Sequence, residues 1–451
     1  MKHPWLWWKK EDLRIERQQL IDEGRDISRV ESEFTRLLAE DMLEDAQFQR
    51  AVNDLLDKTR LLPVHLDYHY IEPSDLEAIR AQRPTGPRVL PVTDPEALRR
   101  SRIAGAWLGR CAGCLLGEPI EGVIRPDLLR LLDRAGYNEI PDYLWRLPGL
   151  TENDYLELGF GKLLSFRKID HIPQNDDTDY TVTAMALVKR KGINFTPSDM
   201  ADFWMQNLPI LSTCTAERVA YRNFATNIEP PDSAIVRNPY REWIGARIRA
   251  DFFGYVALGQ PELAAELAWR DASISHVKNG IYGAMWVAAM LAAAINHTNV
   301  KRVIEIGLSE IPEKSRFFEA VTEILDRHAA GATYTETVEH IHQCWDEKNP
   351  HDWCHSLSNA QIVAMGLLYG EGDYEKAITR TVLACFDTDC NGATVGSIMG
   401  MMLGADALPA KWTGVMHDTI HTSLRGYLTA SISTIAEEMF QIHNTIANGH
   451  L

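Results

Sequence analysis

Two short acidic runs hold the residues best suited to chemistry: "NDDTD", Asn175 to Asp179, and "DTD", Asp387 to Asp389. Each stands directly before a stretch of helical character, "YTVTAMALVK" and "CNGATVGSIMGMML". One Asp or Asn at such a place is explained by N-capping and by the positive end of the helix dipole. A cap needs one side chain per helix, whereas Asp176, Asp177, Asp179, Asp387 and Asp389 crowd two helix starts. If the two starts meet, five carboxylates repel one another by on the order of several kcal/mol unless a cation joins them. Oxygen donors of this kind suit hard divalent ions, with Mg²⁺ preferring octahedral coordination and Mn²⁺ similar sites. Two such ions would let an anionic chain hold a diphosphate-bearing substrate or activate a water.

The elements that must position these carboxylates are marked by small residues. Gly392, Gly396, Gly400 and Gly404 recur every four residues behind the second acidic run. Gly105, Gly109, Gly113 and Gly117 repeat the spacing in "RIAGAWLGRCAGCLLGEPIEG", and a third stripe runs through Gly280, Ala284, Ala288 and Ala292. Four residues is close to one helical turn, so each set forms a drifting stripe on one helix face. Glycine inside a helix costs roughly 1 kcal/mol against alanine, a penalty that close packing must offset. The stripes predict helices whose backbones converge at a common centre, with the polar helix heads sharing one site. Strand-like alternation of β-branched residues is scarce, and the expected fold is all-α.

Before about Asp94 the chain is strongly charged, helical in pattern and free of chemical motifs; the Pro- and Gly-rich "RPTGPRVLPVTDP", Arg83 to Pro95, reads as a linker. The expected organisation is a helical extension with its linker over residues 1–95 and a catalytic domain over 96–451. With 451 residues, 45% apolar and 24% charged, the composition is that of a soluble globular protein. A net charge of −17 argues against a nucleic-acid surface, which needs a basic patch. The start "MKHPWLWWKK" lacks the apolar core of a secretion signal, and Ile281 to Ile295 is shorter than the roughly 20 residues a membrane span requires. Seven irregularly spaced cysteines suggest reduced thiols, so a cytoplasmic protein without a membrane partner is expected. Cys111 and Cys114 form a lone C-x-x-C without a second pair of zinc spacing and read as small core residues. The sequence leaves the oligomeric state open.

The combination of "NDDTDYT", "ASISHVKNGIYGAMW" and "DTDCNGATVGSI", with a first helix ending in "GEPIEG", resembles the ADP-ribosylglycohydrolase family, relatives of the dinitrogenase-reductase-activating glycohydrolases. The resemblance spans roughly Ile103 to Trp412. It implies an orthogonal multi-helix all-α fold with a binuclear Mg²⁺ (or Mn²⁺) centre. The implied reaction is hydrolysis of an N- or O-glycosidic bond at the anomeric carbon of ADP-ribose, on a small molecule or a modified protein. It also implies that Asn175, Asp176 and Asp177 supply the first ligand set and Asp387 and Asp389 the second. Glu121 matches the acidic residue that follows the family's first helix. Two positions depart from the family pattern: Asn175 stands where Thr is frequent, and Cys390 where many members place Thr. A thiol is a poor Mg²⁺ ligand, so Asn391 or Thr394 substitutes or the site has fewer protein ligands.

Cleavage at ribose passes through an oxocarbenium-like transition state, assisted by a carboxyl group at the leaving group or the water. Glu121 or Asp179 is the expected proton carrier, although Glu121 could equally be a solvated loop residue and Asp179 a cap. His276, Arg247 and Asn391 are candidate substrate contacts, with Arg249 a further one for the diphosphate; ordinary structural roles compete for each. Trp243, Tyr282, Trp286 and Trp353 could stack on a base but are explained as well by core packing. Two other readings compete. A Mg²⁺-dependent diphosphate-ionising enzyme of the terpenoid-synthase kind also uses Asp-rich helices, but a compact D-T-D before small residues differs from its spread second motif. A non-catalytic ADP-ribose binder would keep the ligands and lack a working acid.

Overall fold

The computed structural model describes residue 3, residues 6–39 and residues 41–449. The architecture is all-α. Four N-terminal helices, α1 (Lys10–Asp22), α2 (Glu31–Leu38), α3 (Ala46–Thr59) and α4 (Leu76–Gln82), precede the glycine-striped α5 (Glu96–Gly117). The helices that bear on the site are α6 (Asp176–Lys191), α7 (Lys278–Ala294), α8 (Ser356–Tyr369), α9 (Thr388–Leu403) and the last, α10 (Ile432–Ala447). Among the described residues, regular strands are limited to one antiparallel pair, β1 (Thr419–His421) and β2 (Thr429–Ser431).

Two of the three stripes meet. A Cβ placed on Gly105 would lie 2.6 Å from the Gly400 carbonyl oxygen, and one on Gly392 would lie 2.5 Å from that of Gly113. Gly109 and Gly396 face each other's carbonyls in the same way, and Gly117 faces the backbone of Thr388. No side chain fits between α5 and α9 at any of these levels, which is why the helix-propensity cost of the glycines is tolerated. The last level fixes the function of the zipper. Gly117 against Thr388 brings the end of α5 onto the beginning of α9.

The third stripe lies elsewhere. Gly280 faces the Arg241 carbonyl and the His276 ring, and Ala288 faces Gly254 of the short helix Asp251–Val256. Small residues on α7 therefore admit neighbours of their own although α7 also touches α9, so stripe-to-stripe pairing is confined to α5 and α9. The physical reason is that a small-residue stripe specifies close approach and leaves the partner undetermined. Nearly every residue of α7 is buried, and among the described residues no helix is long and apolar enough to cross a membrane.

The N-terminal helices are joined to the remaining chain through buried charge. Arg241 reaches Glu16 on α1 at 2.6 Å and Glu23 at its C-cap at 2.8 Å. Arg316 bonds both Glu72 and Glu242 at 2.8 Å, and Gln19 donates to Glu242 at 2.9 Å.

Candidate active site

Asn175 caps α6: its side-chain oxygen accepts from the Asp177 amide at 2.9 Å, and its amide nitrogen donates to Asp389 Oδ2 at 3.0 Å. One side chain thus caps one helix and braces the head of the other. Asp387 occupies the N-cap position of α9, yet its carboxylate makes no capping hydrogen bond. Capping does not account for it. The two residues before it, Cys385 and Phe386, both adopt left-handed backbone, at φ 63° and 59°. Bulky side chains at consecutive left-handed positions are costly, and such strain clusters at functional sites.

The buried carboxylates share one pattern, each with one oxygen held and one bare. Asp177 Oδ1 takes Arg110 Nη2 at 3.1 Å, Asp389 Oδ2 takes Asn175, and Asp387 Oδ2 faces the Cys354 thiol at 3.9 Å. Asp177 Oδ2, Asp387 Oδ1 and Asp389 Oδ1 are buried without a hydrogen-bond partner. Unpaired anionic oxygens in a dry interior are expensive. One donor atom from each of Asp177, Asp389 and Cys390 lies within 4.8 Å of the other two. This donor set fits a divalent cation, and the bare oxygens are the observation that says so.

Electrostatics agree with the geometry. Burial and the neighbouring Asp389 charge push Asp176 up to about 6, and the same causes hold Asp177 well above the usual carboxylate range against the pull of Arg110. Burial, Asp389 and Glu121 raise Asp387 likewise. Glu121, exposed at the rim, is pushed up to about 9, first by the Asp389 charge and then by desolvation, with Lys162 opposing. A cation among the aspartates would draw that value back down.

The other sequence candidates separate. Asp179 turns away from the cluster onto the loop after β1, where Ser423 donates to it through its amide at 3.1 Å and through its hydroxyl; burial raises it to about 7. Asn391 is held on both sides, its oxygen accepting from Arg247 at 2.6 Å and its nitrogen donating to Asn359 at 2.7 Å. Arg247 is fully buried beneath the cluster, with Cys390, Asp387 and Asp177 near it. Arg249 is committed to Glu217 and Asp271. His276 is buried, with Nδ1 on Ser275 Oγ at 2.9 Å, and lines an apolar cavity with Pro230, Pro231 and Trp269. None of its hydrogen bonds among the described residues reaches the acidic cluster. Trp243, Tyr282 and Trp286 are buried in the core, and Trp353 is half-buried against it.

Sequence reasoning missed Glu118 and Arg110. Glu118 is half-buried one turn before Glu121, pushed up to about 8 by burial and then by Asp389, and its Oε2 is buried and unpartnered. A second acidic residue in "GEPIEG" was the available signal. Arg110, fully buried in the glycine-rich helix, also pairs with Asp251 at 3.0 Å. A lone cation in the otherwise small and apolar stretch from Ile103 to Gly117 marked it.

A separate trio, Asp22, His351 and His355, also gathers within 4.8 Å. The Trp243 indole donates to His351 Nδ1 at 3.2 Å and His351 Nε2 meets Asp22 at 2.8 Å. That pairing puts the His351 proton on Nε2, which makes a hydrogen-bonded couple rather than a metal ligand.

The fold is an all-α scaffold in which the end of one glycine helix, α5, meets the acidic heads of two others, α6 and α9. The ADP-ribosylglycohydrolase family model matches residues 95–445, and the chain belongs to that family. A solved structure described as an ADP-ribosylglycohydrolase-related protein complex is similar at 18% identity and a TM-score of 0.48, covering 79% of this chain and 100% of its own. No curated protein matches the chain. Family membership supports a glycohydrolase-type function on ADP-ribosyl compounds.

Proposed function

We propose that the protein is a metal-dependent hydrolase that cleaves an N- or O-glycosidic bond at the anomeric carbon of ADP-ribose or a related ribosyl compound. The observation that carries this reading is the trio of bare, buried carboxylate oxygens on Asp177, Asp387 and Asp389 where the heads of α6 and α9 meet. Asp176, Asp177, Asp387 and Asp389 are the residues that would hold a pair of divalent ions, with Mg²⁺ or Mn²⁺ expected from the family resemblance. When bound, such ions supply Lewis acidity and an anchor for ribose hydroxyls and phosphate. Asn175 serves this arrangement as cap and brace.

Glu121 is the proposed proton carrier. It stands at the exposed rim, where a substrate can reach it. A carboxyl there can donate to a leaving group when protonated and afterwards accept a proton from the attacking water. Glu118, more enclosed and also raised, stands beside it. Asp179 lies one helical face away and holds the Ser423 loop in place.

The test is turnover of ADP-ribosyl-arginine, ADP-ribosyl-serine, O-acetyl-ADP-ribose and simple nucleosides by chelator-treated protein with Mg²⁺ or Mn²⁺ added back. Metal-dependent release of a free ribosyl product is expected from at least one. Release of pyrophosphate would point instead to diphosphate ionisation, and ADP-ribose binding without turnover of any substrate would point to a binder.

A further inference from the structure

Cys390 stands where many family members place an oxygen ligand, and its surroundings are not those of a spare core thiol. It is the third residue of α9 and only 6% exposed. Its sulfur is one of the three donors that lie within 4.8 Å of one another with Asp177 and Asp389. Both partners offer a buried oxygen with no protein hydrogen bond, Asp177 Oδ2 and Asp389 Oδ1.

The oxygen donors that could stand in for the missing threonine are less well placed. Asn391 is fixed by Arg247 on one side and Asn359 on the other, and a guanidinium on its oxygen repels a cation. Thr394 is one helical turn deeper along α9 than Cys390, about 6 Å further from the helix head.

We propose that Cys390 Sγ, with Asp177 and Asp389, forms one mixed sulfur–oxygen metal position that takes a borderline divalent ion of the Zn²⁺, Co²⁺ or Fe²⁺ class in preference to Mg²⁺. This rests on the metal-centre reading above and specifies one of its two positions. Thiolate ligands select such ions, while Mg²⁺ demands oxygen donors. Coordination forms the metal–sulfur bond and displaces the thiol proton to solvent, with no change of oxidation state. One thiolate and two carboxylates carry three negative charges against a dication. Arg110, bonded to Asp177 at 3.1 Å, and Arg247, facing Cys390, offset the excess. A cation beside a cysteine also favours its thiolate. The remaining carboxylates, Asp176 and Asp387, leave the second position to oxygen donors alone.

The experiment uses full-length protein stripped with chelator and titrated with Co²⁺, reading the near-ultraviolet thiolate-to-cobalt charge-transfer band. The wild type is expected to show the band; C390S and C390T should still bind Co²⁺ but lack it, and T394V should retain it. In competition, the preference for Zn²⁺ over Mg²⁺ should fall roughly tenfold or more in C390S. Two cysteine variants guard against one that misfolds, since threonine restores the residue frequent in the family. Co²⁺ bound without the band, or a band that survives in C390S through Cys214 or Cys354 near the cluster, overturns thiolate ligation by Cys390. Wild-type protein that binds no divalent ion overturns the metal-centre reading itself, a result distinct from bound Co²⁺ without the band.

Discussion

At the scale of single residues, the site is a set of carboxylates each satisfied on one side only. Asp387 illustrates the consequence: with Oδ1 bare and no capping bond, it contributes nothing to α9 that an amide would fail to supply. Asp387→Asn should therefore leave the helical circular-dichroism signal intact and weaken divalent-metal binding roughly tenfold or more, measured by calorimetric titration. Glu121 and Asp179 part in the same manner. Glu121→Gln should lower single-turnover hydrolysis by on the order of 10²–10⁴-fold with bound metal unchanged, the usual worth of general acid–base help. Asp179→Asn, which disturbs the Ser423 contact, should lower the melting temperature more than the rate. A metal-replete Asp179→Asn protein that is inactive beside a fully active Glu121→Gln would reverse the two roles.

At the scale of elements, the α5–α9 zipper decides where the carboxylates at the end of α5 and the head of α9 go. Gly117 against Thr388 sets Glu118 and Glu121 beside Asp387 and Asp389, so spacing between glycines becomes spacing between the carboxylates of the candidate site. Gly396 faces the Gly109 carbonyl with no room for a Cβ. Gly396→Leu should then cost at least the ~1–3 kcal/mol typical of overpacking and well beyond a surface change, read as a drop in melting temperature. A melting temperature near wild type would mean that this face of α9 is not packed as described. These stripes were legible in the sequence because glycine every fourth residue in an apolar helix has few other uses. Their pairing was not, since α7 carries a similar stripe and packs against different neighbours.

At the scale of the whole molecule, the four N-terminal helices are held by buried ion pairs rather than by a flexible tether. Arg241 lies between Glu16 and Glu23. Removing it should be strongly destabilising, about 3–5 kcal/mol, because two carboxylates would remain buried without their partner. Denaturant unfolding of Arg241→Met measures this. Acid should act through Glu23. Burial raises its pKa, but the charges of Arg241, Lys278 and Arg25 outweigh burial and hold it well below the ordinary 4.5. A depressed folded pKa means the unfolded chain binds the proton first. Glu23's contribution is therefore complete above about pH 4.5 and is lost as pH falls through the lower folded value. Glu16 is raised by burial despite Arg241 and works in the opposite sense, its contribution declining as pH rises through its folded value. Melting temperature followed from pH 6 downward should fall below about 4.5, and Glu23→Gln should flatten that fall.

The sequence by itself determined the helical class, the two acidic helix heads and the need for close backbone approach at the small-residue stripes, because each is written in local spacing: capping residues, period-four glycines and the absence of strand alternation. Charge crowding at Asp176, Asp177, Asp387 and Asp389 was readable for the same reason, since like charges at adjacent positions stand out without any knowledge of neighbours. What the tertiary structure alone decided is which partners each group meets across the chain. Only folding puts Arg110 under Asp177, Asn175 across to Asp389, Ser423 on Asp179, and His276 in an apolar cavity with no hydrogen bond to the cluster. The physical reason is that a side chain's chemistry is set by the few atoms within hydrogen-bonding distance of it, and those come from segments up to 244 residues away in the case of Asp179 and Ser423.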